Sequence, residues 1–144
     1  MIQSAGVIVI DWQLAKPAAL CVRAYANWDF PKGKVEKGET LLQAAGRELE
    51  EETSLAVGKD VKMVGVRAPS VTYGRGTRAK TATYFIADRV SSTQPYLPVS
   101  AELGKPENDE YRWVDVESLP TIMPVRLKPV VSYLQDWAGS SKSN

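Results

Sequence analysis

Four glutamates and an arginine recur at fixed spacing in the first half of the chain: Glu39, then Arg47-Glu48, then Glu51-Glu52. The stretch from Thr40 to Thr53 has no proline and is rich in Leu, Ala, Glu, Gln and Arg, which predicts a helix. Thr40 followed three residues later by Gln43 fits a capping box. With about 100° of turn per residue, Leu41, Leu42, Ala45 and Leu49 form the stripe expected to be buried. Glu48 and Glu52 lie about 20° either side of Leu41, and Glu51 lies about 80° away on the Glu48 side. Glu50 and Gln43 point the other way. Three carboxylates at i, i+3 and i+4 thus crowd one edge of the core face. Like charges at that spacing repel, burial at a core edge raises the cost, and acids near a helix C-terminus oppose its dipole. Two readings follow. One is a solvated acidic face. The other is a site for a hard divalent cation such as Mg²⁺, which takes carboxylate oxygens as ligands.

The rest of the composition narrows the chemistry. The chain has 144 residues, no histidine and one cysteine, Cys21. Imidazole-dependent triads, histidine-ligated metals, an internal disulfide and a Cys-built zinc site are excluded. Catalysis must rest on carboxylates, Lys, Tyr or a bound metal. With 18 Lys+Arg against 17 Asp+Glu the net charge is +1. Bulk charge does not drive nucleic-acid binding, and no DNA partner is expected. Met1 to Ile10 lacks the basic start of a targeting signal, and no apolar run approaches the ~18 residues of a membrane span. The expectation is a cytoplasmic protein with no membrane partner.

The elements that must position the acids read as a mixed α/β layer structure. Ala5–Ile10 and Ala18–Arg23 are strands with a loop between them. Trp28 to Gly38 reads mostly as loop. Val61–Arg67, Thr81–Ala87 and Tyr111–Val114 are further strands. Tyr73 to Lys80 is a flexible basic loop. Asp115 is expected to cap a short helical turn ending at Pro120, and Val130–Trp137 to form a terminal helix stopped by Gly139. This places one domain over residues 1–138 and a disordered tail over 139–144.

The acidic segment has a wider pattern. Gly33, five residues, Glu39, seven residues, Arg47-Glu48-Leu49, one residue, Glu51-Glu52, then Ser54-Leu55 resembles the Nudix box, G-x5-E-x7-R-E-U-x-E-E-x-G-U, with U aliphatic. Eight of nine fixed positions match over 23 residues. Ser54 stands where the family has Gly, which implies a conformational cost or a different C-cap. The resemblance implies a Nudix-type α/β/α sandwich, a mixed sheet with the box helix packed on it and a C-terminal helix. It implies an enzyme that hydrolyses a nucleoside diphosphate linked to another group. Glu48, Glu51 and Glu52 match metal-binding carboxylates, Glu39 an accessory carboxylate acting on metal or water, and Arg47 the arginine that orients the glutamates. The backbone carbonyl of Lys32 or Gly33 would complete the shell of Mg²⁺, or of Mn²⁺ in its place.

Flanking segments resemble asymmetric diadenosine tetraphosphate hydrolases. They are Trp28-Asp-Phe-Pro-Lys-Gly-Lys-Val-Glu36, with Lys34 replacing the usual His, Lys80-Thr-Ala-Thr-Tyr-Phe-Ile-Ala87, and Glu107-Asn-Asp-Glu-Tyr-Arg-Trp113. By that match Glu107 is a carboxylate outside the box, with Glu102 and Glu110 as rivals. Tyr84 would stack on adenine and Lys80 would meet a phosphate; Lys34 and Arg23 join them as substrate-binding candidates. The implied reaction takes diadenosine tetraphosphate to ATP and AMP. An RNA 5′ end, a nucleoside triphosphate, an ADP-sugar or a diphosphoinositol polyphosphate is an alternative substrate. A non-catalytic Nudix module that only binds a nucleotide is the alternative from another class. Such a module is expected to lose box glutamates, and none is missing here.

Overall fold

The computed structural model describes residues 2–142. In chain order its strands are β1 (Ile2–Asp11), β2 (Ala18–Ala24), β3 (Asn27–Asp29), β4 (Lys32–Lys34), β5 (Val61–Arg67), β6 (Val71–Tyr73), β7 (Lys80–Arg89) and β8 (Glu110–Asp115). The helices are α1 (Leu41–Thr53) and α2 (Lys128–Lys142), and 3-10 turns occupy Gly76–Arg78, Val116–Thr121 and Val125–Leu127.

β1 is buried from Ser4 to Asp11, a condition met only where both faces of a strand are covered. Side-chain parity divides it. Ala5, Val7 and Val9 enter one core cluster, with Ala44, Ala45 and Leu49 of α1. Ile8 and Ile10 enter the other, with Val130, Val131, Leu134 and Ala138 of α2. The sheet therefore lies between two helices, an α/β/α sandwich as expected.

β1 runs parallel to β7, from Ile2 opposite Lys80 to Ile10 opposite Asp88. Its other edge is shared. β2 pairs antiparallel at Ile10 and Asp11, and β4 pairs antiparallel at Ser4, Ala5 and Gly6. β8 lies on β2, while β5 and β6 lie on β7. The fork where β2 and β4 part from β1 brings the Asp29–Lys34 segment beside α1. Close approach there requires a glycine, since a Cβ on Gly6 would overlap the backbone of Pro31.

Several expectations need correction. Leu42, expected in the buried stripe, is 47% exposed and borders an apolar groove with Met63 and Phe85. The segment read as loop after Trp28 holds β4 and the end of β3, three-residue strands too short to show a pattern. Asp115 gives its 3-10 turn no side-chain hydrogen bond. Gly139 does not end the last helix, which continues to Lys142, so the expected tail from 139 is helical up to that point. Ser143 and Asn144 lie outside the described residues. No helix among those described is long and apolar enough to cross a membrane.

Candidate active site

The capping box starts α1 as predicted. Thr40 Oγ1 accepts from the Gln43 N–H at 3.1 Å, and Gln43 Oε1 accepts from the Thr40 N–H at 2.9 Å. At the other end Ser54 adopts the left-handed conformation, φ 65°, that the family's glycine would take. Its hydroxyl donates to the Tyr96 carbonyl at 3.0 Å, which offsets part of the strain. The helix so fixed carries Arg47, the centre of a charge network. Arg47 Nε and Nη2 donate to both oxygens of Glu39 at 2.7 and 2.9 Å. Nη1 donates to Glu48 at 2.8 Å and to Glu51 at 3.1 Å, and Nη2 also reaches the Lys34 carbonyl at 2.9 Å. Glu39 further accepts from the Glu36 N–H at 2.8 Å. These bonds, Arg47 first, hold its carboxyl down at about 2. Its two oxygens are engaged in ordering the helix start rather than turned to a cation.

The carboxylates that do converge are Glu48, Glu52 and Glu107, whose oxygens lie within 4.8 Å of one another. Glu48 and Glu52 are buried on the sheet side of α1, as their helical phase requires, and Glu107 arrives exposed from the segment before β8. Burial pushes the Glu48 carboxyl up, with Arg47 opposing. Burial also pushes Glu52 well up; Asn108 opposes it, while Glu107 and Glu48 add to the rise. Asn108, itself buried, donates to Glu52 Oε1 at 2.8 Å. Gly33 lies flat against the Glu48 carboxylate, where a Cβ would overlap it. Three carboxylates held together against their own repulsion and desolvation fit a hard divalent cation. The solvated-face reading fails for Glu48 and Glu52, which are not solvated.

Two cavities meet at this trio. A cleft of about 740 Å³ is lined by Lys34, Arg47, Glu51 and Glu102 along with all three carboxylates, and walled by Pro98, Val99 and Ala101. A smaller pocket of about 220 Å³ shares Glu52 and Glu107 with it and continues to Asp29, Lys32, Asn108 and Arg126.

The sequence-predicted residues separate on this map. Glu107 joins the trio; its rivals do not, since Glu102 stays on the cleft wall and Glu110 is held by Arg112 at 2.9 Å. Glu51 lines the cleft but sits outside the trio, exposed and tied to Arg47. Lys34 reaches the cleft. Arg23 lines neither cavity: it bonds Asp109 at 2.8 Å and lies against the Trp28 ring. Lys80 is exposed at the start of β7, paired in register with Tyr73, and lines neither cavity. Tyr84 cannot be a base platform. It is 0% exposed, packed edge-on against Phe30, and its hydroxyl donates to Asp29 Oδ1 at 2.7 Å. Strand parity gives the reason, because Tyr84 shares the α2-facing side of β7 with Ala82 and Ile86. The residues missed by sequence reasoning are Asn108, Asp29 and Arg126. Asn108 and Asp29 both lie in quoted flanking segments, beside Glu107 and Trp28; Arg126 lies in none.

A fold with the box helix against a mixed sheet and a converging acidic trio, two of its members buried, defines a class, and comparison with known proteins agrees. The NUDIX domain family matches residues 2–134, so the chain belongs to the Nudix family of hydrolases and is an enzyme. Among its relatives, an RNA pyrophosphohydrolase of Erythrobacter litoralis is 32% identical over 84% of this chain and 80% of that protein. The asymmetrical bis(5′-nucleosyl)-tetraphosphatase of Sus scrofa is 33% identical over 63% of this chain and 57% of that protein. The fold is similar to a C. elegans Ap4A hydrolase binary complex, with a TM-score of 0.83, 19% identity, and coverage of 97% of this chain and 99% of that one. Box glutamates intact and a family of hydrolases set aside the non-catalytic module.

Proposed function

We propose that this protein hydrolyses a P–O–P bond of a nucleoside 5′-polyphosphate in the cytoplasm, with diadenosine tetraphosphate going to ATP and AMP as the leading reaction. The observation that supports it is the convergence of Glu48, Glu52 and Glu107 where two cavities meet. A linear polyphosphate has groups on both sides of the bond that breaks, and such a junction accommodates both. The flanking segments shared with diadenosine tetraphosphate hydrolases support the substrate.

Glu48 and Glu52 would hold Mg²⁺, or Mn²⁺, with Glu51 at the cleft edge and the carbonyl of Lys32 or Gly33 beside them. A cation bound there would neutralise phosphate charge and lower the pKa of a water. The chain does the rest. Arg47 fixes the Glu48 carboxylate, and Asn108 fixes Glu52. A water oxygen adds to one phosphorus and the bridging P–O bond breaks. In a chain without histidine, its proton goes to a carboxylate; Glu107, the solvent-facing member, takes that role. Lys34 stands on the cleft wall to meet a phosphate.

An RNA 5′ end is the second reading. It is favoured by Tyr84, whose burial removes the expected adenine platform, and by the relatives named RNA pyrophosphohydrolase. A substrate panel with Mg²⁺ and product chromatography tests both. Diadenosine tetraphosphate should give ATP and AMP. Faster release of pyrophosphate from 5′-triphosphorylated RNA would establish the second reading instead, and no turnover of any nucleotide would overturn both.

A further inference from the structure

The small pocket beyond the trio carries a second charge network that the box does not include. Asp29 is its centre. Oδ1 accepts from the Tyr84 hydroxyl at 2.7 Å and from the Phe30 N–H at 2.7 Å. Oδ2 accepts from Arg126 Nη2 at 3.1 Å and faces Lys32 Nζ at 3.7 Å. Both cations lie over the Tyr73 ring, Arg126 at 4.5 Å and Lys32 at 5.9 Å. Arg126 is delivered from the 3-10 turn before α2, anchored by the buried Leu127. One carboxylate thus faces two cations. Arg126 Nη1 is screened from solvent and has no acceptor among the described residues. A guanidinium has five N–H donors in a fork suited to phosphate, and here those of Nη1 are unused. The pocket exposes no aromatic face for a base: Phe30, the one ring on its wall, is 1% exposed, and the Tyr73 ring is covered by the cations.

We infer that Arg126, backed by Lys32, is the residue of this pocket that grips a phosphate of the substrate other than the one attacked at the trio. Asp29 positions the guanidinium, and Tyr84, from within the core, positions Asp29. The inference rests on the polyphosphate reading above and adds to it that the small pocket takes phosphate, not a nucleobase.

The test measures binding of inorganic tripolyphosphate by calorimetry at saturating Mg²⁺, and KM and kcat on the best substrate of the panel. Wild type is compared with Arg126→Ala, Arg126→Lys and the remote control Lys62→Ala, with melting temperature recorded on the same samples. Loss of a charge-assisted pair predicts tripolyphosphate binding weakened about ten- to hundredfold in Arg126→Ala. KM should rise by a similar factor with kcat little changed, Arg126→Lys should be intermediate, and the control should be silent. Arg126→Lys retains the ion pair with Asp29 and keeps the question open to measurement if the alanine variant fails to fold. Wild-type protein that does not bind tripolyphosphate, or variants that melt earlier with unchanged binding and KM, would overturn the inference. Arg126-dependent binding without turnover of any nucleotide would sink the proposed reaction but leave the pocket assignment standing. Turnover indifferent to Arg126 would do the reverse.

Discussion

Arg47 and Asp29 each organise a charge network at the same site, and they are built in opposite ways. Around Arg47 one cation gathers carboxylates, and two of the three carboxylates it bonds belong to its own helix. Around Asp29 one carboxylate gathers cations and a tyrosine hydroxyl, reaching residues 55 and 97 positions away. The first network shapes acids for a cation. The second leaves a guanidinium short of acceptors. Placed on either side of Glu52 and Glu107, they give the site one end suited to metal and another suited to phosphate.

The sharpest way to break the acidic side is Glu52→Gln. It removes a ligand charge with little change of shape, and a cation's stabilisation of transition-state charge amounts to several kcal/mol, so turnover should fall about a thousandfold or more. Stability should move the other way. Glu48 and Glu52 have carboxyls raised by burial, so their contribution to stability is full below the unfolded pKa and is lost as pH rises through the folded value. Without metal, wild type should therefore melt lower at pH 8 than its Glu52→Gln variant, and added Mg²⁺ should raise its melting temperature more at pH 8 than at pH 5. A variant with wild-type turnover at saturating Mg²⁺ removes Glu52 from the mechanism.

Arg47→Lys tests whether the fork geometry matters. Lysine keeps the charge but cannot hold both Glu39 oxygens and Glu48 together. Residues that orient metal ligands typically cost about ten- to hundredfold when changed, and a loss of kcat of that order is expected. Glu39 adds a pH arm. Its lowered pKa means its contribution is present above the ordinary carboxylate range and is lost as pH falls toward about 2. Arg47→Lys should therefore show a shallower acid denaturation between pH 4 and 2 than wild type. Unchanged kcat would mean that charge alone suffices.

Asp29 is probed from behind by Tyr84→Phe. On sequence alone this change should be silent, because a stacking ring would survive it. The structure gives a different expectation. The hydroxyl bonds a carboxylate, and a bond of that kind is worth about 1.5–3 kcal/mol. The variant should melt earlier and show a raised KM, as Asp29 loosens its hold on Arg126. A silent variant would cut the link between the core and the pocket.

The contrast between the networks also explains what the sequence made legible. The carboxylates of the Arg47 network lie within one helix and the turn before it, so 3.6-residue periodicity and box spacing located them. The sheet's long strands were visible for a similar reason, since Val7 to Ile10 and Ala82 to Ala87 carry enough β-branched and aliphatic residues to be read locally. Asp29 and Arg126 meet only because β3 and the 3-10 turn before α2 converge across the fork in the sheet. No spacing rule spans that distance. Tyr84 was misplaced for a related reason. A motif match gave its identity, but which face of β7 it occupies depends on register with β1, and one step of parity separates core from surface.

The smallest expected effect lies at Ser54, the one departure from the box. Its left-handed backbone costs a non-glycine residue roughly 1–2 kcal/mol, and its hydroxyl recovers about 1 kcal/mol through the Tyr96 carbonyl. Ser54→Gly removes both terms and should change stability by less than about 1 kcal/mol. Ser54→Ala keeps the strain and loses the bond, so it should be destabilised by about 1 kcal/mol. Neither touches the trio, and kcat should be unchanged in both. Denaturant midpoints separate the terms: alanine well below serine, glycine near it. Glycine and alanine equally destabilised would mean that the cap rests on the hydroxyl and not on backbone freedom. A fall in kcat with glycine would show that the Ser54–Tyr96 tie holds the 96–107 segment, and with it Glu107, in place.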